Sequence, residues 1–279
     1  MTAVDASTAT RVVTVTTARG ITCQVLAMDD ASSTAPPIVA FHGTGGHLAG
    51  EPMLTKLAEH YAVYAPVWPG YGPEDGEELI EDMLDFALHG ADVIDALGLG
   101  PAHGGPAPHL IGHSMGGMIA AEMVAISPVS YGKLALIAPA GLWLDEYPIV
   151  DIFTLLPFEF PHYLFHDADA GAAMMTGGMD FDDVEAIKAF LIGNSRRLGT
   201  AGKILFPIPN RRLSKRLYRV TNPALVVWGE SDRLITPVYA RAWQDKLPHA
   251  ELVYIEAAGH MAPYEQPAEV ATHIANFFA

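Results

Sequence analysis

The sequence predicts an α/β protein: a mostly parallel central sheet with helices on both faces, opened by a hairpin and interrupted by a helical lid insertion. Three observations carry this. Short apolar runs such as IVAF and ALVVW have the composition of strands buried on both faces. They alternate with longer segments of helical periodicity, the arrangement of parallel strands joined by crossover helices. The alternation stops near residue 142 and resumes after 215, so 1–141 and 216–279 are expected to form the core and 142–215 the cap.

Taken in order, RVVTVTT (11–17) and ITCQVLA (21–27) flank Ala18-Arg19-Gly20 and predict the hairpin. PPIVAFHG supplies a strand over 37–42, followed by a Gly-rich loop at 43–46. MLTKLAEH reads as helix, YAVYAP as strand and WPGYGPEDG as loop. The run from Glu77 to Gly100 predicts one long amphipathic helix, with Leu79, Met83, Phe86 and Leu88 as its apolar stripe. Strand HLIG, helix MGGMIAAEMVAIS and strand KLALIAP (133–139) follow. After the insertion come strand ALVVWG (224–229), a helix near 237–246, strand ELVYIE (251–256) and a closing helix from about 267. The insertion, dense in aromatics, prolines and methionines, is expected to fold over the carboxyl ends of the strands, where open α/β sheets bind ligands.

Composition narrows the function classes. The 279 residues are half hydrophobic and carry a formal charge of −16, from 16 basic and 32 acidic side chains. Such an acidic surface repels phosphate backbones and anionic headgroups, so neither nucleic acid nor membrane is an expected partner. A small-molecule substrate is; whether the chain forms a homo-oligomer is left open. Cys23 is the single cysteine, which excludes an intrachain disulfide and suits a small core residue. MTAVDASTATRV has no basic or apolar leader character, and a cytoplasmic location is expected.

The chemistry concentrates in four short segments. Gly112-His113-Ser114-Met115-Gly116 matches G-x-S-x-G between a strand and a helix, where a sharp turn projects a serine hydroxyl and leaves no room for side chains two residues away. A serine attacks only when a base takes its proton and an acid orients that base. His260, in the loop Ala258-Gly259-His260-Met261 after the last strand, is the candidate base. Asp232, just beyond strand ALVVW, is the candidate acid, favoured over the neighbouring Glu230. Two backbone N–H groups must face the developing oxyanion; Met115, after the nucleophile, and Thr44, in the loop His42-Gly43-Thr44-Gly45-Gly46, are expected to supply them. That loop fails G-x-G-x-x-G and lacks a P-loop lysine, so a phosphate site is not favoured. The 12 histidines include no H-E-x-x-H pattern, and neither a metal nor another cofactor is expected.

Together HG-x-G-G, GHSMGG, G-x-x-D and GHMAPYEQP resemble, in order, the signature blocks of the α/β-hydrolase superfamily. The resemblance implies that fold and a Ser114–Asp232–His260 triad. Within that superfamily the leading expectation is a carboxylesterase-like cleavage of an ester or related acyl bond through an acyl-enzyme, and the aromatic, Met-rich insertion suggests a mainly apolar small molecule. Two other outcomes share the fold: C–C bond hydrolases of aromatic-ring meta-cleavage products, which usually carry Trp where this chain has Met261, and receptors with little turnover.

Half of all Lys and Arg lies between Asn194 and Asn222, with no acid among them: Arg196, Arg197, Lys203, Arg211, Arg212, Lys215, Arg216 and Arg219. The stretch is expected chiefly to be a solvated face balancing an acidic body. Arg196 and Arg197 are the candidates within it for clamping a substrate carboxylate.

Overall fold

The structure is a computed structural model that describes residues 10–28, 33–48, 50–177, 179–180, 182–208 and 212–279. Arg211 and the leader expectation over residues 1–9 therefore fall outside the described residues.

The hairpin forms β1 (Arg11–Thr16) and β2 (Thr22–Met28), antiparallel, with Thr16 opposite Thr22. Then come β3 (Ile38–Phe41), α1 (Pro52–Leu57), β4 (Val63–Pro66), α2 (Met83–Ala96), β5 (His109–His113), α3 (Met115–Ile126) and β6 (Leu134–Ile137). Three helices follow before the sheet resumes: α4 (Phe160–Leu164), α5 (Ala168–Thr176) and α6 (Val184–Leu205). The chain closes with β7 (Ala224–Gly229), α7 (Val238–Gln244), β8 (Ala250–Ile255), α8 (Ala262–Glu265) and α9 (Pro267–Phe278). The sheet has eight strands in the order β1-β2-β4-β3-β5-β6-β7-β8; β2 pairs antiparallel with β1 and β4, and the rest is parallel.

The apolar strands bury both faces, and their period of two assigns each side chain to a layer. Leu134, Leu136, Val226 and Trp228 join Phe86, Ile119 and Trp68 on the α2–α3 side. Their neighbours Ala135, Ile137, Leu225 and Val227 pack with Leu54, Leu57, Ile274 and Phe278 of α1 and α9 on the other. Each fully buried Leu or Ile contributes about 1.5–3 kcal/mol, so shifting one central strand by one residue would exchange the two layers and cost many such terms. Cys23 lies in a satellite cluster with Val25 and Val93, and burial pushes its thiol up to about 12. That fits a packing role.

One expected element is different. The long helix from Glu77 divides into a single turn at Glu77–Leu79 and α2, which begins at Met83. Asp82 caps it, accepting from the Leu84 and Asp85 amides at 2.8 and 3.1 Å. A carboxylate that satisfies first-turn N–H groups starts the helix where it sits. The stripe moves accordingly: Phe86, His89, Gly90, Val93 and Ile94 face the core, whereas Leu79 and Leu88 are exposed. No described helix is long and apolar enough to cross a membrane.

Candidate active site

Four loops meet at the carboxyl edge of the sheet, following β3, β5, β7 and β8. The β5–α3 turn holds Ser114 at φ 54°, a left-handed conformation that a residue with a side chain adopts only when its surroundings enforce it. They do: a Cβ on Gly112 would lie 2.5 Å from the Gly116 oxygen, and one on Gly116 would lie 2.2 Å from the Phe41 oxygen. The Ser114 N–H is tied to the Ile137 carbonyl at 2.9 Å.

His260 Nε2 lies 2.9 Å from Ser114 Oγ, and its Nδ1 lies 2.8 Å from Asp232 Oδ2. Asp232 accepts two further bonds through Oδ1, from the Leu234 and Ile235 amides at 2.9 Å each. A carboxylate held on three sides fixes the imidazole with its proton on Nδ1 and its Nε2 lone pair toward the serine hydroxyl. All three side chains are buried: Ser114, Asp232 and His260 are 7%, 3% and 2% exposed. The rival acid, Glu230, is exposed, and its backbone rather than its side chain joins the sheet, through the Ile255 carbonyl.

The Gly-rich loop lies directly against Ser114, since a Cβ on Gly43 would come within 3.1 Å of Ser114 Cβ. Thr44 of this loop lines the cavity at Ser114. Met115 is the first residue of α3, where an amide has no acceptor within the helix. Both expected oxyanion donors thus stand beside the serine. His42 sets the loop's path. Trp68 N–H donates to His42 Nε2 at 3.1 Å, so Nδ1 carries the proton and donates to the Gly43 carbonyl at 2.7 Å. Burial holds His42 well below the ordinary histidine value, which keeps that tautomer neutral.

Further supports escaped the sequence reading. Glu51 accepts from Tyr264 Oη at 2.5 Å, from Leu48 N at 3.0 Å and from His47 Nδ1 at 3.0 Å. Burial, then the Glu51 charge, holds the Tyr264 phenol well above its ordinary value, so it stays a donor. Glu265 accepts from Gly259 N through one oxygen and from His166 N through the other, both at 2.7 Å. Met261 N donates to the Leu164 carbonyl at 3.0 Å, and Arg233 reaches the carbonyls of His162 and Phe165 at 2.9 Å each. The base of the insertion is therefore fastened to the loops carrying Asp232 and His260. Tyr264 and Glu265 lie inside the motif GHMAPYEQP, but nothing local marks partners 213 and 99 residues away.

A cavity of about 150 Å³ lies over Ser114 and His260, the size of an engineered protein void that admits benzene. Ile149, Val150, Phe160, Phe165, Met175 and Phe190 make much of its wall apolar. Asn194 and Arg197 of α6 are the polar exceptions on the insertion side, and among the described residues no carboxylate pairs with Arg197. Arg196 is a correction. Its guanidinium bonds Glu77 at 2.6 and 2.7 Å and the carbonyls of Gly72 and Glu74, so it is spent on structure and does not line the cavity. The basic stretch divides likewise: Lys203 donates to the Glu77 and Ile80 carbonyls, Arg216 pairs with Glu122, and Arg219 reaches the Ala125 carbonyl.

Residues 38–273 match the model of the alpha/beta hydrolase family. The chain belongs to that family. Among curated relatives, it is 27% identical to the uncharacterized hydrolase YugF of Bacillus subtilis over 60% of this chain, and spans 64% of that protein's length. It is 26% identical to a 2-hydroxy-6-oxo-6-phenylhexa-2,4-dienoate hydrolase of Burkholderia cepacia, over 95% of this chain and 94% of that one. Of solved structures, a membrane phospholipase A superposes with a TM-score of 0.75 at 21% identity, over 96% of this chain and 85% of that one. Naproxen esterase from Bacillus subtilis superposes at 0.71 and 22% identity, over 98% and 92%. Likeness at these identities bears on the fold alone.

Proposed function

We propose that the protein is a serine hydrolase that cleaves a carboxylic ester, or a close acyl relative, of a small and mainly apolar molecule. The observation that carries this reading is the continuous relay from Ser114 Oγ through His260 to Asp232, with links of 2.9 and 2.8 Å, opening into an apolar cavity. His260 takes the Ser114 proton as the hydroxyl attacks the ester carbonyl. The Thr44 and Met115 amides receive the oxyanion, and Asp232 stabilises the imidazolium. His260 then protonates the departing alkoxide, leaving an acyl-serine. Water, deprotonated by the same imidazole, releases the acid and restores Ser114. A fluorophosphonate is expected to label the wild-type protein and spare Ser114→Ala; labelling that survives the substitution would remove Ser114 from the mechanism.

One observation favours a second reading. Asn194 and Arg197 are three apart on α6, a spacing that puts them on one helix face, and both border the cavity. A half-buried guanidinium without a protein carboxylate is suited to a substrate carboxylate. This supports an anionic substrate, as in the C–C bond hydrolysis of vinylogous carboxylates from ring cleavage, run by the same three residues. Turnover of p-nitrophenyl esters against that of a ring-cleavage dienoate separates the two. A burst without steady turnover on both would point instead to a binding protein.

A further inference from the structure

His113 is the residue of the elbow for which the acyl-transfer scheme has no use. Its ring stands in the cavity wall beside Gly43 and Ser114. Nε2 lies 2.8 Å from the backbone oxygen of His260. A carbonyl only accepts, so the ring proton sits on Nε2. Burial, and then the neighbouring His260, pushes His113 down to about 3, leaving the ring neutral and Nδ1 a bare lone pair. Among the described residues no donor reaches Nδ1. The absent side chain of Gly43 is what uncovers it: a Cβ there would stand 3.4 Å from Nδ1.

The site's other imidazoles differ. His42 uses both ring nitrogens on the backbone, and His260 uses both within the relay. His113 alone among these three brings an unclaimed acceptor to the cavity. We propose that His113 Nδ1 accepts a hydrogen bond from a hydroxyl on the acyl part of the substrate, and that the enzyme thereby selects hydroxyacyl substrates. This rests on the acyl-hydrolase reading. The hydroxyl belongs near the scissile carbonyl because Gly43, which Nδ1 faces, directly precedes the oxyanion donor Thr44. An ammonium donor is disfavoured by Arg197, whose positive charge shares the cavity. A substrate lacking the hydroxyl leaves a buried acceptor unpaired, and sites built around such a bond discriminate against the deoxy analogue.

The test compares kcat/KM for methyl mandelate and methyl phenylacetate, which differ by one α-hydroxyl. Wild type is expected to favour mandelate by about tenfold or more, the worth of one buried hydrogen bond. His113→Phe, which keeps a ring and loses the acceptor, should bring the ratio to about one, whereas His113→Gln, which keeps an amide oxygen, should retain a preference. Because the ratio is taken within one protein, a general loss of rate cancels. A wild type that does not favour mandelate, or a His113→Phe that keeps the full ratio, overturns the proposal. Affinities of the free mandelate and phenylacetate anions for Ser114→Ala, with and without His113→Phe, give the same comparison without turnover. If wild type hydrolyses no ester, the acyl-hydrolase reading fails by itself and this binding ratio still decides the role of His113. Equal affinity of Ser114→Ala for the two anions overturns that role whether or not His113→Phe folds.

Discussion

The Tyr264 hydroxyl donates to Glu51 across 2.5 Å, joining α8, just past His260, to the segment that follows the Gly-rich loop after β3. Glu51 also holds the Leu48 amide at 3.0 Å, and it does so from a left-handed backbone conformation, φ 34°. Strain of that kind persists only where surrounding contacts impose it. The pair acts as a brace between two parts of the site that must keep register.

Removing the brace should cost rate more than binding. Tyr264→Phe deletes the hydroxyl and little else; kcat is expected to fall about tenfold with KM nearly unchanged. That is less than the ~10²–10³ lost with an oxyanion donor itself. Steady-state kinetics on a p-nitrophenyl ester check it, and a change confined to KM would contradict the positioning role.

Asp232→Asn should leave the fold intact and lower kcat by about 10⁴, as the equivalent substitution does in the serine-protease template. Glu230→Gln should have little effect, because that side chain is exposed. The reverse pattern would reassign the acid.

Arg197→Gln should raise KM for a half-ester of a dicarboxylic acid by about tenfold, the scale of one charge-assisted bond, and barely alter the neutral diester. Arg196→Gln should instead lower the thermal midpoint, since it undoes the clamp on Glu77. Equal KM effects on both substrates would remove Arg197 from anion binding.

Four histidines, three buried and one, His113, partly buried, are expected to limit the fold at acid pH. Burial is the main cause holding His42, His89, His109 and His113 below 6.5, with His89 and His109 at about 4 and His113 at about 3. The unfolded chain therefore binds more protons below that value, and stability, complete above it, falls as pH drops through the window. Urea midpoints across that range should show the decline. His89, whose two ring nitrogens have no hydrogen-bond partner among the described residues, is the informative site: His89→Phe should make the decline shallower, and an unchanged slope would exclude its share.

Gly116→Ala places a methyl 2.2 Å from the Phe41 oxygen and 2.6 Å from that of His42. Overpacking against backbone costs about 1–3 kcal/mol or more. Here the displaced backbone leads into the Gly-rich loop beside Ser114, so activity and the thermal midpoint are expected to fall together.

The sheet and the grouping of Ser114, Asp232 and His260 are legible in the sequence because each has a local signature. Strands buried on both faces read as apolar runs; Ser114 directly follows β5, and Asp232 and His260 lie in the loops after β7 and β8. The start of α2 was hidden because periodicity continues through Glu77–Leu79, while the decisive signal is one capping side chain, Asp82. Arg196 and Arg197 were inseparable for a related reason. Successive helix residues point about 100° apart, and only the packing of α6 shows which one faces Glu77 and which the cavity. The brace from Glu51 to Tyr264 joins residues 213 positions apart, beyond any local pattern. His113 was visible merely as the second letter of a motif; its significance lies in which nitrogen is already occupied.

The two oxygens of Glu265 carry a further consequence. One holds the amide before His260 and the other an amide at the foot of the insertion, each at 2.7 Å. Peeling the segment after α4 away would strip a partner from Glu265, which also holds the loop that carries His260. The foot of the insertion and the loop that carries His260 are therefore expected to move together rather than separately.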